Sequence, residues 1–444
     1  MSMPLDRKSL LAYAMPSAGL SMLGFMLATY VPTFFQKVTG LSLATIGLVF
    51  MLMRLWDAVI DPVIGSYSDR TNSKYGRRKP WIFVGTPLLL VMLYLFCFPP
   101  ANAGLLYVAT TTFLFYIALT IVQIPYLSWG AELSRDYSER MRITGFREAA
   151  TMVGVLLATS IPLLVLAGEN PEIEDIVRVF GASILVLLPF GILVALTRAP
   201  NAARVEGVER PGLISSLKVV AKNKPFMRIL AAMFFVWVGG GIYNALSFFV
   251  AVNGLSLQPA SFLWFVFIQY AVGLLCLPLH IWIGKRIGKH RALLFVGLAY
   301  FVILPLFYVV EPGNFSQAMM VYVLKGAVTA SIWVMPPALV ADAVENGMLD
   351  GSGDDAGLYM SLYFFIQKAA MALGVGLAFP LAQLSGFNPQ AAPGADVGGL
   401  LQVALLLSGL VVIPAIFLLF NYPIDEKRHG EIREELRQRG VSNV

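Results

Sequence analysis

Long apolar runs separated by short polar stretches make up most of this chain. A helix that crosses a membrane needs about 20 mostly apolar residues. Twelve runs meet that length, over residues 10–36, 42–66, 81–99, 103–129, 144–168, 177–197, 226–252, 259–284, 292–311, 317–341, 358–384 and 399–421. None alternates with period two, which sets a membrane β-barrel aside. Gly and Pro interrupt most runs, and membrane bundles tolerate this because neighbouring helices re-satisfy the freed backbone groups. The first run is too long for a removable signal peptide and lacks a cleavage pattern. The pattern therefore predicts an all-α membrane protein of twelve transmembrane helices.

The longest polar stretch, 198–224, carries Pro200, Gly207, Pro211 and Gly212 and divides the runs six and six. It predicts six-helix halves over 1–197 and 225–424, a linker over 198–224 and a tail over 425–444. The halves echo each other weakly. Gly65-Ser-Tyr-Ser-Asp69-Arg70 and Gly76-Arg77-Arg78-Lys79 follow the second run, and Gly284-Lys285-Arg286-Ile-Gly288-Lys289-His290-Arg291 follows the eighth. A basic, glycine-bearing loop at the same place in each half suggests parallel repeats about an axis along the membrane normal. Lys427–Arg439 reads as a short amphipathic helix in a solvated tail.

Composition agrees. The 444 residues are 58% hydrophobic and 13% charged, with mean hydropathy +0.74, against about 45–50% and about 25% in soluble domains. That excludes a soluble enzyme, a disordered chain and a nucleic-acid binder. The net charge of +6 is a topology signal: 26 of the 32 Lys and Arg fall on the side shared by both termini and the linker. The opposite side keeps only Lys37 and Arg178, with Glu169, Glu172, Glu174, Asp175 and Glu311. The positive-inside rule then predicts cytoplasmic termini and a multi-pass protein of the plasma (inner) membrane. Cys97 and Cys276 lie in apolar runs, too few for a disulfide framework, and His280, His290 and His429 have no metal-ligand spacing. The expected partners are the lipid bilayer and a small-molecule substrate, with no nucleic acid, no cofactor and a monomeric state.

A charge at the bilayer centre costs at least about 2.5–3.5 kcal/mol, so it usually faces a cavity or a partner. The densest set is Arg54-Leu-Trp-Asp57-Ala-Val-Ile-Asp61-Pro62, whose three charges share one helix face. Two carboxylates one turn apart in a low dielectric repel when both are ionised, so the pair calls for a cation, a proton or a metal ion. The competing reading has Arg54 simply neutralising the pair to hold the bundle together. Lys368 and Arg147 read as lone interior cations, with a structural ion pair across helices as the competing reading; Lys368 is placed in a cavity, and Arg147 either there or snorkelling to the cytoplasmic face. Lys325 has no assigned role. Gln123-Ile-Pro125-Tyr126 reads as a polar amide beside a helix break, with Thr120 nearly one turn earlier. Trp333, Tyr363, Tyr243, Asn244 and Trp264 are candidate cavity aromatics and amides, with plain packing as the default.

These residues resemble the glycoside–pentoside–hexuronide:cation symporter family (melibiose-permease-like) of the major facilitator superfamily, over essentially the whole chain. The stretches that carry the resemblance are Arg54–Pro62 with Ser68-Asp69-Arg70-Thr71 and Tyr75–Trp81, then Ile124-Pro125-Tyr126, then Trp333, Asp342, Glu345, Tyr359 and Lys368 at matching spacing. The resemblance implies an alternating-access symporter with its site between the halves. Asp57, Asp61 and Thr120 fall on its cation-coupling positions, where H+ or Na+ is the coupling ion. Arg54, a supporting charge, Arg147 and Lys368 fall on charged cavity positions and Trp333 on a sugar-lining position; Gln123 and Tyr363 join Arg147, Trp333 and Lys368 as substrate-binding candidates from the residues themselves. Asp69, Arg70, Arg77, Asp342 and Glu345 fall at a cytoplasmic gate, where the acids are expected to latch onto basic groups.

The departures bear on ion and substrate. The sodium-using melibiose permease carries Asn where this chain has Ile60, and losing that oxygen weakens a hard-cation cage and favours the proton. Sugar carriers have Asp at Gln123, Trp at Leu127 and a Lys-Asp pair in the region Met15-Pro16-Ser17. The recognition site is thus less acidic than theirs. Lysophosphatidylcholine symporters of the same branch also lack the span-four acid. Two functions follow: cation-coupled symport of a glycoside or sugar-type solute, and transport of an amphiphile such as a lysophospholipid. An intramembrane enzyme is set aside because no His, Cys or Ser cluster is expected at membrane depth. A channel is set aside because no ring of filter residues repeats. Export remains open.

Overall fold

The computed structural model describes residues 5–134, 137–167, 171–201, 218, 220–349, 356–389, 394 and 397–439, with the backbone alone at 69, 131, 137, 138, 140, 141, 356, 357, 426 and 433. Twelve of its helices are long and apolar enough to cross a membrane. The first expected run is two helices, α1 (Arg7–Thr29) and α2 (Val31–Thr39). They part at Tyr30, and Pro32 sits in the first turn of α2, where a missing N–H costs little. Then come α3 (Leu43–Arg70), α4 (Lys79–Cys97), α5 (Leu105–Glu132), α6 (Tyr137–Val165) and α7 (Ile173–Arg198). After the linker follow α8 (Lys224–Phe249), α9 (Pro259–Ile287), α10 (Lys289–Ile303), α11 (Phe315–Leu349), α12 (Ala356–Leu384), α13 (Gly398–Phe420) and α14 (Glu426–Gln438).

Three expectations are corrected. The helix break at Gln123-Ile-Pro125 does not occur: α5 is continuous, with Pro125 inside it. The basic loop after the eighth run shrinks to one residue, Gly288 at φ +91°, a left-handed conformation that glycine adopts without strain. The tail is not simply solvated. Asp425 caps α14 by accepting from Arg428 N at 2.8 Å, and Ile432 and Leu436 of α14 are buried, with α14 packed on α11.

The described chain forms two compact units, Met1–Glu206 with Gln258–Phe267, and Gly207–Leu257 with Ile268–Val444. In the first, α1 packs against α6 and α7, and α5 against α3 and α4. Gly154 of α6 makes the first contact possible, since a Cβ there would run into the Ala18 backbone and the Ser21 hydroxyl. Ser21 Oγ bonds across to Thr151 O at 2.9 Å. In the second, α8 packs against α12 and α13. A Cβ on Gly374 would lie 2.5 Å from Val238 O. Lipid tails are as apolar as leucine, so helices in a membrane hold together by such close packing rather than by a hydrophobic drive.

Candidate functional site

The α3 stripe faces α5. Asp57 is buried, and Thr120 Oγ1 donates to its Oδ1 at 2.6 Å. Thr120 is itself 1% exposed, so the hydroxyl is held for this bond. Asp61 lies one helical turn on and is half-buried, as is Arg54 one turn back. Asp57 and Thr120 are thus brought together, and Asp61 and Arg54 share their helix face.

The first unit also holds a hydroxyl contact between α1 and α5 that sequence reading did not find. Tyr126 Oη lies 2.8 Å from Tyr13 O and 2.8 Å from Ser17 Oγ. Its one proton goes to the carbonyl, so Ser17 donates to Tyr126. The Tyr13 and Tyr126 rings stack at 5.0 Å, and Trp129 meets Tyr13 edge-on at 5.6 Å. This knot ties α1 to α5. The signal was the Tyr126 phenol where the family has Phe, which brings one hydroxyl that must find a partner. Arg147 is not a lone cation: Nη2 pairs with Glu148 Oε1 at 2.7 Å. Gln123 is half-buried on α5, one residue before Ile124.

In the second unit, Trp333 is 46% exposed and meets Trp237 edge-on at 5.2 Å. Trp333, Tyr243 and Asn244 line one cavity together, while Tyr363 and Trp264 do not line it. Tyr363 is buried on α12 against Phe364, and Lys368 lies half-buried on the same helix. A His–Ser pair does exist at membrane depth, contrary to expectation. His280 Nε2 lies 2.6 Å from Ala327 O and its Nδ1 2.5 Å from Ser331 Oγ. Nε2 must carry the hydrogen to meet a carbonyl, so Ser331 donates to Nδ1. Both nitrogens are occupied in strapping α9 to α11, and Ser331 is fully buried, which makes the pair structural.

At the basic end of the first unit, Arg77 Nη2 and Arg78 Nη2 clasp Glu132 Oε1 at 2.9 and 2.6 Å, and Arg78 also donates to Ser68 Oγ. Glu132 was missed; its signal is an acid closing the fourth run opposite three consecutive basic residues. Arg70 is exposed, and the Asp69 side chain lies outside the described residues. In the second unit, Lys289 Nζ pairs with Asp342 at 2.6 Å, and His429 Nε2 lies 2.9 Å from Glu345 and 3.3 Å from Asp342. Asp342 and Glu345 thus meet partners on α10 and on the tail helix α14, within the second unit.

A sequence profile described as MFS/sugar transport protein matches residues 12–426. The chain belongs to that family. As an MFS/sugar transport protein it is a multi-pass integral membrane transporter of the symporter type, not an enzyme. It is similar to the glucuronide carrier protein homolog of Escherichia coli, 24% identical with 100% of both chains covered. It is also similar to the sodium-dependent lysophosphatidylcholine symporter 1 of Xenopus tropicalis, 22% identical over 98% of this chain and 90% of that one. Among solved structures, a D-xylose–proton symporter superposes with TM-score 0.64 at 14% identity, covering 95% of this chain and 98% of that one, which shows the shared fold.

Proposed function

We propose that this MFS/sugar transport protein is a cation-coupled symporter of a glycoside or sugar-type small solute, working by alternating access with the proton as coupling ion. The observation that carries the reading is the Asp57–Thr120 contact: a buried carboxylate within a membrane span that accepts the Thr120 hydroxyl at 2.6 Å, with Asp61 one turn away. A sodium ion needs several oxygens around it, by analogy with other hard cations. Ile60 supplies none. A proton needs only the carboxylate.

Gln123, Arg147, Trp333, Tyr363 and Lys368 are assigned to the solute, with the Ser17–Tyr126 hydroxyls as neighbours that order the first unit. Arg54 supports the charge balance of the α3 stripe. Asp69, Arg70, Arg77, Asp342 and Glu345 serve the gate. The reading places both termini, the linker 198–224 and the tail in the cytoplasm, in a monomer of the plasma membrane. A second reading, transport of a lysophospholipid-like amphiphile, draws support from the lysophosphatidylcholine symporter relative and from the loss of the span-four acid at Gln123.

Uptake into proteoliposomes tests both. Glycosides, uronates and lysolipids are each offered with a proton gradient, a sodium gradient or neither, to the wild type and to Asp57→Asn and Asp61→Asn. The expected result is proton-driven accumulation of a glycoside or uronate, abolished in both variants. Lysolipid uptake in its place selects the second reading. Accumulation that survives both substitutions removes the carboxylates from coupling.

A further inference from the structure

A cavity of about 130 Å³ lies wholly within the second unit, walled by α8, α9, α10, α11 and α13. Lys325 lines it, about 15 Å along α11 from Phe315 at 1.5 Å per residue. The residue is only 2% exposed. Its Nζ stands 3.7 Å from the ring centroid of Tyr243 and 5.0 Å from that of Tyr322. Among the described residues its Nζ makes no hydrogen bond and no ion pair beyond these ring contacts.

The rest of the wall offers the ammonium no negative charge. Among the described residues no Asp or Glu lines the cavity. Thr329 Oγ1 donates to Lys325 O at 2.7 Å and so accepts from Tyr300 Oη at 2.7 Å, which spends both hydroxyl protons. Gln269 approaches because its neighbour on α11 is Gly326, where a Cβ would lie 2.5 Å from Gln269 O. The lining also includes the apolar and aromatic side chains of Trp237, Trp333, Leu293, Val412 and Ile416, beside the amides Asn244 and Gln269. An ammonium taken out of water is costly unless an anion meets it, and aromatic faces offset only part of that cost.

We propose that this cavity is a binding site for a small organic carboxylate with an apolar body, the carboxylate pairing with Lys325 Nζ and the body lying against Trp237, Trp333 and the aliphatic wall. The site contains none of Asp57, Asp61, Thr120 or Lys368, and it recognises a charge that a neutral glycoside lacks. Trp333 is the one residue it shares with the set assigned to the transported solute.

Calorimetric titration of the purified full-length protein in detergent tests it, with benzoate as the probe and benzamide as its neutral counterpart. Saturable benzoate binding is expected, at least ten-fold tighter than benzamide, and at least ten-fold weaker in Lys325→Met. Gly240 also lines the cavity, and nothing lies within 4 Å of a Cβ added there. Gly240→Leu therefore fills the space and leaves Lys325 in place; it too is expected to lose benzoate. Absence of benzoate binding, equal binding of benzamide, or full benzoate binding by folded Lys325→Met overturns the proposal. Should Lys325→Met fail to give monodisperse protein, Gly240→Leu decides, and unchanged benzoate binding there overturns it.

Discussion

At the scale of single residues, the chemistry concentrates where membrane burial makes polar atoms expensive. Thr120 gives its only proton to Asp57 from a position with almost no solvent access. A hydrogen bond to a charged group contributes about 1.5–3 kcal/mol, and about 1.4 kcal/mol is a factor of ten. Thr120→Val keeps the shape and removes the proton. It is expected to weaken gradient-driven uptake about ten-fold or more while leaving the chain's yield and monodispersity unchanged, since one small side chain replaces another of like volume. Uptake rates at saturating and limiting proton gradients check this, and an unchanged rate at both would separate Thr120 from coupling. The Arg54, Asp57 and Asp61 pattern was legible in the sequence because three charges at helical spacing inside an apolar run have few explanations. The Ser17–Tyr126–Tyr13 knot was not, since its members lie on helices more than a hundred positions apart and each looks like an ordinary packing residue alone.

At the scale of elements, hydropathy found every span but not where helices stop. The first run hides the Tyr30 break because Thr29, Tyr30 and Val31 do not interrupt the apolar pattern. Pro125 suggested a break that does not occur, because in a bundle the neighbours absorb what proline removes. The end of α11 was placed too early because Asp342 and Glu345 look like loop residues until Lys289 and His429 meet them. The tail helix is the largest of these differences. Its burial of Ile432 and Leu436 depends on a partner that periodicity alone does not reveal. Placing a charge at a fully buried position costs several kcal/mol. Ile432→Asp is therefore expected to release α14 from α11, speeding amide exchange across 426–438 while the membrane spans keep their protection. Hydrogen exchange with mass readout checks it, and unchanged exchange over the tail helix would mean that the docking is weak.

At the scale of the whole molecule, fold and family followed from pattern and motif together, and the ion is what remains to be measured. If Ile60 removes an oxygen that sodium needs, restoring an amide there should alter ion preference without altering the solute. On the proposed proton-coupled reading, Ile60→Asn is expected to let a sodium gradient drive uptake. Parallel uptake assays under each gradient read this directly, and a variant that stays proton-driven would place the ion's oxygens elsewhere. The substrate was not legible because its determinants are departures from a pattern: Gln123 and Leu127 say what is lost, not what is bound.

The occupied imidazole of His280 has a practical corollary for chemical probing. A reagent that acylates histidine attacks a ring nitrogen through a free lone pair. Here Nδ1 is committed to Ser331 and Nε2 to Ala327 O. His290 is 4% exposed, whereas the His429 side chain is 20% exposed. Inactivation by such a reagent would therefore report on the join between α14 and α11, and the label would mark the tail rather than the interior of the bundle.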